Sequence, residues 1–212
     1  MGSRLSATRH DDILLLTFES DDGFPRLERR ILAEIEAQTA KLAGTRELAG
    51  GVITGTERAF AVGAEISEIA DLTAASAFEF ALRGQSVMRA VANSPKPIVA
   101  AIRGYCMGGG LDLALACHAR MASGDAVFSH PGGSLGIITG WGGTQRLPRL
   151  IGRGRALEML VTGRRLDANE AFACGLVHKI SADPLNEAIG RVRTIARALA
   201  QTIDSQLNST RE

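Results

Sequence analysis

Gly104-Tyr105-Cys106-Met107-Gly108-Gly109-Gly110-Leu111-Asp112 is the stretch on which the fold turns. A β-prone run, Pro97 to Arg103 (PIVAAIR), leads into it, and Leu111 to Ala119, apolar on nearly every side, leads out. The pattern predicts a strand that ends in a glycine-rich turn and passes into a buried helix. The first N–H groups of such a helix have no partner within it, and they attract negative charge without any side chain. Glycine lets a substrate approach that backbone closely. A second segment has the same character: Ala59-Phe60-Ala61-Val62-Gly63-Ala64-Glu65-Ile66 joins a strand region to a short helix. Either segment alone reads as an ordinary turn. Their combination, order and separation are much more specific.

Outward from these segments, strands alternate with helices. Ile13 to Glu19 (ILLLTFE) reads as a first strand, and Asp21-Asp22-Gly23 as a turn. Pro25 opens a helix that carries Leu27, Ile31, Ile35 and Leu42 at roughly helical spacing and stops at Gly44. Gly51 to Thr54 is a short buried strand. A helix over Ala74 to Ala92 carries Phe78, Leu82 and Met88, and Asn93-Ser94-Pro95 ends it. Arg120 to Ser123 and Ala126 to Ser129 are short strand candidates. Helices follow over Arg153 to Thr162, Ala168 to Cys174 and Pro184 to Gln206. The order predicts an α/β domain over 13–200, flanked by polar tails at 1–12 and 201–212.

The 212 residues are 45% apolar, enough for one domain with a sizeable core. Lys plus Arg number 24 and Asp plus Glu 23, so the formal net charge is +1. That balance argues against a nucleic-acid or membrane-surface partner, which would call for a basic excess. One Trp, one Tyr and seven Phe leave little for stacking on bases. Cys106, Cys117 and Cys174 are odd in number and form no CxxC, so neither a disulfide framework nor a metal site is expected. A reducing, cytoplasmic compartment follows by default. Met1 to Asp12 is polar and lacks the apolar stretch of a signal peptide. No apolar run approaches the roughly 20 residues of a membrane helix.

The two glycine-containing segments resemble the crotonase superfamily, the enoyl-CoA hydratase/isomerase family, whose pattern is Phe-x-Ala-Gly-Ala-Asp followed by a Gly-Gly-Gly turn. Gly142-Gly143-Thr144-Gln145-Arg146-Leu147 with Ile151-Gly152 and Ala156 to Met159, and then Ala168 to Val177, extend the resemblance over about residues 13 to 200. It implies a crotonase (ClpP-like) spiral of ββα units with a shortened C-terminal helical region, since many members continue for one further helical segment. It implies an acyl-CoA thioester as substrate, no cofactor beyond that coenzyme A, and a homotrimer or homohexamer. The family's oxyanion hole falls on the Ala64 and Gly109 N–H groups. Substrate-binding positions fall on Ala61, Gly63, Ile66, Gly108, Pro131, Gly132, Trp141 and, in the early loop near the coenzyme A, Arg26. A thioester carbonyl becomes an enolate when charge develops at its α-carbon, and losing one preorganised donor to that oxygen costs about 2.7–4 kcal/mol of barrier.

The acids depart from the family pattern. Hydratases use two glutamates, and the first matches Asp112, three positions after Gly109 and on the same helix face. Aspartate is one methylene shorter, which withdraws the carboxylate by up to about 1.5 Å. Burying it among Leu111, Leu113, Ala114 and Leu115 is costly unless it is paired or useful. The second glutamate should follow Phe128-Ser129-His130-Pro131, where Gly132 and Gly133 stand instead. The position that gives dienoyl isomerases an acid is Gly140, also empty. Two-acid hydration is therefore not expected, and a glutamate placed at 132 is expected to raise it, though not fully, because Asp112 is short and the Gly132-Gly133 backbone is poorly suited to a glutamate. His130 could in principle replace a base, although a loop histidine beside proline is ordinarily structural or at the surface. A glycine at 132 also occurs in dihydroxynaphthoyl-CoA synthases, where it leaves room for bicarbonate, but the rest of their signature is not evident.

Glu65, in a first helical turn, reads as structural. Cys106 reads as packing, with nothing near to activate it. The expected function is an acyl-CoA enzyme in which Ala64 and Gly109 hold the thioester oxygen and Asp112 moves the proton. Hydratase, isomerase and decarboxylase outcomes share that core. A rival reading is a catalytically weak acyl-CoA-binding subunit that keeps the oxyanion loops and lacks the acids. An RNA-binding role has little support from charge or aromatics.

Overall fold

The computed structural model describes residues 2–209. In chain order the elements are β1 (Arg4–His10), β2 (Ile13–Glu19), α1 (Arg29–Gly44), β3 (Gly50–Thr54), β4 (Ala59–Ala61), α2 (Ile66–Ala70), α3 (Ala74–Ala92), β5 (Ile98–Ile102), β6 (Tyr105–Met107), α4 (Gly109–Ala116), β7 (Ala119–Ala122) and β8 (Val127–Ser129). A 3-10 turn over Pro131–Leu135 follows, then α5 (Gly143–Ile151), α6 (Arg153–Thr162), β9 (Leu166–Asp167), α7 (Ala168–Ala173), β10 (Lys179–Ile180) and α8 (Pro184–Ser209).

Two sheets share these strands. One is six-stranded, in the order β1-β2-β3-β5-β7-β10, and the other four-stranded, in the order β4-β6-β8-β9. The successive pairs β3/β4, β5/β6 and β7/β8 each place their first strand in the large sheet and their second in the small one, and a helix follows each pair. This is the ββα spiral that the resemblance implies.

Register explains the apolar runs. Val52 lies opposite Leu15 on one side and Val99 on the other, and Val99 opposite Ala119, all along parallel ladders. Side chains alternate between faces. Leu14, Leu16, Ile53, Ala100 and Ile102 enter the main core, whereas Ile13, Val52, Val99 and Ala101 meet Ala188, Ile189 and Val192 of α8. Strand β5 is therefore covered on both faces, which is why Ile98 to Ile102 reads as an unbroken apolar run. Helix α4 is buried along its whole length from Gly110 to Ala116, Asp112 included.

Three local expectations need correction. Residues 4–10, expected within a polar tail, form β1, paired antiparallel to β2 from Arg4↔Glu19 to His10↔Ile13. Most of its side chains are exposed, and the main-chain ladder joins it to β2, so it has no apolar alternation to betray it. Helix α8 runs to Ser209, past the expected start of the C-terminal tail at 201; residues 210–212 lie outside the described residues. Leu27 is not helical but bridges Ala64 just ahead of α1. Helix α5, over the Gly142 to Leu147 segment that carries the family resemblance, contains Pro148.

Candidate active site

Strands β4, β6 and β8 run parallel, with Ala61 opposite Cys106 and Met107 opposite Ser129. Their carboxyl ends release three segments at one edge of the small sheet: Val62-Gly63-Ala64, Gly108-Gly109, and His130 onward. Open α/β sheets bind ligands at this edge. Main-chain bonds tie the segments together. Val62 N–H donates to Pro25 O at 2.9 Å, Leu27 N–H to Gly63 O at 2.8 Å, and Gly108 N–H to Ser129 O at 3.0 Å. Gly63 and Gly108 sit at φ +112° and +52°, in the region that favours glycine. A Cβ added at Gly63 would lie 3.5 Å from Gly109 N, so the first segment touches the start of α4.

Neither the Ala64 nor the Gly109 N–H donates a hydrogen bond to protein among the described residues. Both residues line a cavity of about 290 Å³ whose walls include Ile66, Phe80, Leu135, Ile137, Trp141 and Leu160. Gly63, Gly108, Asp112, Pro131 and Gly132 line it too. The mostly apolar wall with a few polar groups suits an apolar chain carrying one polar head.

Asp112 lies one turn into α4, its N–H donating to Gly108 O at 3.0 Å. It is fully buried. The Thr139 hydroxyl donates to Oδ2, whereas Oδ1 has no well-formed hydrogen bond. Burial pushes the carboxyl up to about 6; the Thr139 hydroxyl, the Trp141 N–H, the Arg146 charge and the Gly143 N–H pull the other way. The acid is thus poised near neutrality, as a proton carrier should be. Gly143 leaves room for it, since a Cβ there would collide with Asp112 Oδ1.

His130, read from the sequence as structural or at the surface, is only 2% exposed and lines the same cavity. Its Nε2 lies 3.6 Å from Asp112 Oδ1. Neither ring nitrogen has a hydrogen-bond partner among the described residues. Burial lowers its pKa to about 4, so the ring is neutral at pH 7.

Gly132 does more than lack an acid. A Cβ there would lie 2.7 Å from the Ile137 carbonyl oxygen, and one at Gly133 would strike the Val161 carbonyl. The turn is closed to side chains at both positions, so a glutamate at 132 would have to displace it. Gly140 differs. It lines the cavity, and the nearest neighbour of an added Cβ is the Ala81 methyl at 3.6 Å.

Trp141 is buried and lines the cavity, its ring 5.3 Å from that of Phe80. It packs on Gly84 and Gly109, where any Cβ would overlap the indole. Two expected substrate contacts are not brought to the cavity. Ala61 is wholly buried in β4 beneath Gly110. The Arg26 guanidinium bonds Asp22 Oδ2 at 2.9 Å and the Phe24 carbonyl at 3.0 Å, with Glu65 Oε2 at 3.6 Å. Arg26 thus belongs to an ion-pair cluster with Asp22 and Glu65. Glu65 caps α2 by accepting from Ser67 N–H, in line with its structural reading. Thr139 escaped sequence reasoning altogether, since its partner lies 27 residues away and the Ile137-Ile138-Thr139-Gly140 run has no period to mark it.

Comparison with known proteins bears on this geometry. A family model described as enoyl-CoA hydratase/isomerase matches residues 9–212. The chain belongs to the enoyl-CoA hydratase/isomerase family. Among its relatives, a probable enoyl-CoA hydratase of Mycobacterium tuberculosis is 33% identical over 207 residues, covering 96% of this chain and 78% of the relative. A crotonyl-CoA hydratase of Syntrophomonas wolfei is 45% identical over 130 residues, covering 61% of this chain and 50% of the relative. The crystal structure of an enoyl-CoA hydratase from Thermoplasma volcanium superposes with a TM-score of 0.86 at 34% identity, covering 97% of this chain and 83% of that one. The crotonase fold expected from the glycine segments is therefore the fold of this enoyl-CoA hydratase/isomerase family enzyme. Among the described residues no helix is long and apolar enough to cross a membrane, and no cluster of His, Cys, Asp and Glu could hold a metal ion.

Proposed function

We propose that the cavity binds the acyl end of a coenzyme A thioester, with the carbonyl oxygen against the Ala64 and Gly109 N–H groups and Asp112 carrying the proton at the reacting carbons. The pair of free N–H donors facing the cavity that also holds Asp112 carries this reading. Two preorganised donors stabilise charge that develops on the thioester oxygen as a proton leaves or reaches the α-carbon. A carboxyl raised to about 6 is mostly ionised at pH 7 yet gives its proton up readily in return. The names of the relatives, crotonyl-CoA and enoyl-CoA hydratases, favour a 2-enoyl thioester as the starting substrate.

The rest of the site supports the same class. Ile66, Phe80, Ile137 and Trp141 form a wall for an apolar acyl group. Nothing in this chemistry calls for a metal or a cofactor beyond the coenzyme A of the substrate. We infer a cytoplasmic homotrimer or homohexamer that acts on acyl-CoA and not on nucleic acid or membranes. The buried Asp112 favours this reading over a mere acyl-CoA-binding subunit, because burying a carboxylate is costly unless it is used.

The test is a panel of 2-enoyl-, 3-enoyl- and malonyl-type CoA thioesters, with products read by mass spectrometry for wild type and Asp112→Asn. Turnover of at least one thioester, lost in Asp112→Asn, is the expected result. Turnover that survives the substitution overturns the role of Asp112. No turnover of any thioester favours the binding-subunit reading.

A further inference from the structure

Three polar atoms at the cavity have no hydrogen-bond partner among the described residues: Asp112 Oδ1 and both ring nitrogens of His130. Buried polar atoms are nearly always satisfied, and an exception in a native site calls for an explanation. Here the exceptions cluster. His130 Nε2 and Asp112 Oδ1 lie 3.6 Å apart, beyond a good hydrogen bond, and an oxygen seated on the cavity side of the pair, not between them, can reach both at hydrogen-bond distance. The Trp141 and Gly143 N–H groups favour the Asp112 carboxylate without forming a well-placed bond to Oδ1. The Thr139 hydroxyl is committed to Oδ2, and Arg146 is held by the Trp141 carbonyl at 3.2 Å. Gly132 and Gly133, which offer no side chain, follow within three residues of His130, so the histidine is the one titratable side chain this segment gives the cavity.

We propose that His130 and Asp112 Oδ1 together hold the oxygen that becomes, or already is, bonded to the β-carbon of the substrate: a water in the enoyl thioester, a hydroxyl in the 3-hydroxyacyl thioester. His130 thereby supplies the second polar group of a hydration site that has no second carboxylate. The inference rests on the enolate site proposed above and adds a residue and a substrate pair to it.

The step balances within these groups. The water gives one hydrogen to Asp112 Oδ1 and presents the other to the unprotonated nitrogen of neutral His130. As the water oxygen bonds to the β-carbon, its first proton passes to Asp112 and the π pair moves onto the thioester oxygen, between the Ala64 and Gly109 N–H groups. The enolate pair then returns to the α-carbon and takes that proton back from Asp112. Water has added across the double bond, the carboxylate is restored, and His130 keeps its protonation state throughout. Burial favours this role because it holds the imidazole neutral, with one nitrogen free to accept.

Two reactions at one site test the proposal. Hydration of crotonyl-CoA needs the held water; exchange of the α-protons of butyryl-CoA with D2O needs the oxyanion donors and Asp112, with no β-oxygen. Both are measured for wild type, Asp112→Asn, His130→Ala and His130→Gln, after thermal melts establish that each variant is folded. Asp112→Asn is expected to lose both reactions. His130→Ala should lower the ratio of hydration to exchange by about 10²-fold, through kcat and not KM, and the His130→Gln amide, which can still bond water, should recover part of it. An unchanged ratio in His130→Ala overturns the proposal, and so does a wild type that exchanges α-protons but hydrates nothing. A wild type that does neither overturns the enolate site itself.

Discussion

Asp112 and His130 oppose each other in their dependence on pH, and the opposition is measurable. The folded state raises the Asp112 pKa from 3.8 to about 6, so it holds this proton where the unfolded chain has released it. Stability from this group is present below pH 4 and falls as pH rises toward 6. His130 goes from 6.5 to about 4, so the unfolded chain takes up a proton that the folded state refuses; stability from it is full above pH 6.5 and falls as pH drops toward 4. Each displacement corresponds to about 3 kcal/mol. In wild type the two slopes largely cancel. Asp112→Asn removes one of them, so urea denaturation should show a variant whose stability relative to wild type climbs between pH 4 and pH 6. Above pH 6 it should be the more stable protein, by up to about 3 kcal/mol, although it has lost activity. His130→Gln should do the reverse, gaining on wild type as pH falls below 6.5. A relative stability that stays flat with pH for both variants would show that neither group is desolvated as described. The same carboxyl sets the acid limb of turnover: activity should rise with pH through about 6 and then level off, as Asp112 becomes ionised.

At the scale of the element, the segment from Pro131 to Trp141 decides which acids the site can carry. Gly132→Glu must push aside the Ile137 carbonyl, 2.7 Å from the new Cβ, and overpacking of this kind costs about 1–3 kcal/mol. Gly140→Glu meets only the Ala81 methyl at 3.6 Å and should melt close to wild type. It would bring a second negative charge into the cavity of Asp112, where like charges raise a carboxyl pKa. The acid limb of turnover should therefore move above 6 in Gly140→Glu, and a limb that stays in place would mean the new carboxylate points away from Asp112. The sequence expectation that a glutamate at 132 adds an acid meets a steric obstacle that no motif contains. The block is a carbonyl five residues further on, visible only once the turn is folded. The oxyanion segments were legible because glycines mark them: Gly63 and Gly108 need positive φ, and Gly109 must lie under Trp141. Asp112 was legible as the one charge in an apolar helix. His130 was visible as a candidate base, but not its burial beside Asp112; Thr139 was not legible at all, because its partner reaches it across the chain and it stands in no periodic pattern. Strand β1 was hidden for the opposite reason, since backbone pairing to β2 forms it and its side chains are mostly exposed.

For the whole molecule, the distribution of apolar surface argues the inferred assembly. Leu157 and Val161 are four residues apart on one face of α6, and in the single chain they are 57% and 61% exposed. Phe172 of α7 is 52% exposed. An isolated exposed leucine needs no explanation, but apolar side chains paired along one helix face mark a contact surface. The same helix supplies Leu160 to the cavity and its carbonyl at Val161 to the wall beside Gly133, so a partner seated on α6 would also brace the active site. In the proposed ring of three copies, each copy would offer one surface and receive another. Leu157→Asp combined with Val161→Asp places two charges on that face at little cost to the single chain, since both side chains already meet water there. Sedimentation at micromolar concentration should show a trimer or hexamer for wild type and a monomer for the double variant, with the circular dichroism of the folded chain retained. Turnover should fall with assembly, because the 3-10 turn that carries Gly132 and Gly133 rests against the end of α6. A wild type that sediments as a monomer ends the assembly reading. A double variant that still forms trimers moves the interface away from α6, and a monomer with full turnover shows that the cavity is complete within one chain.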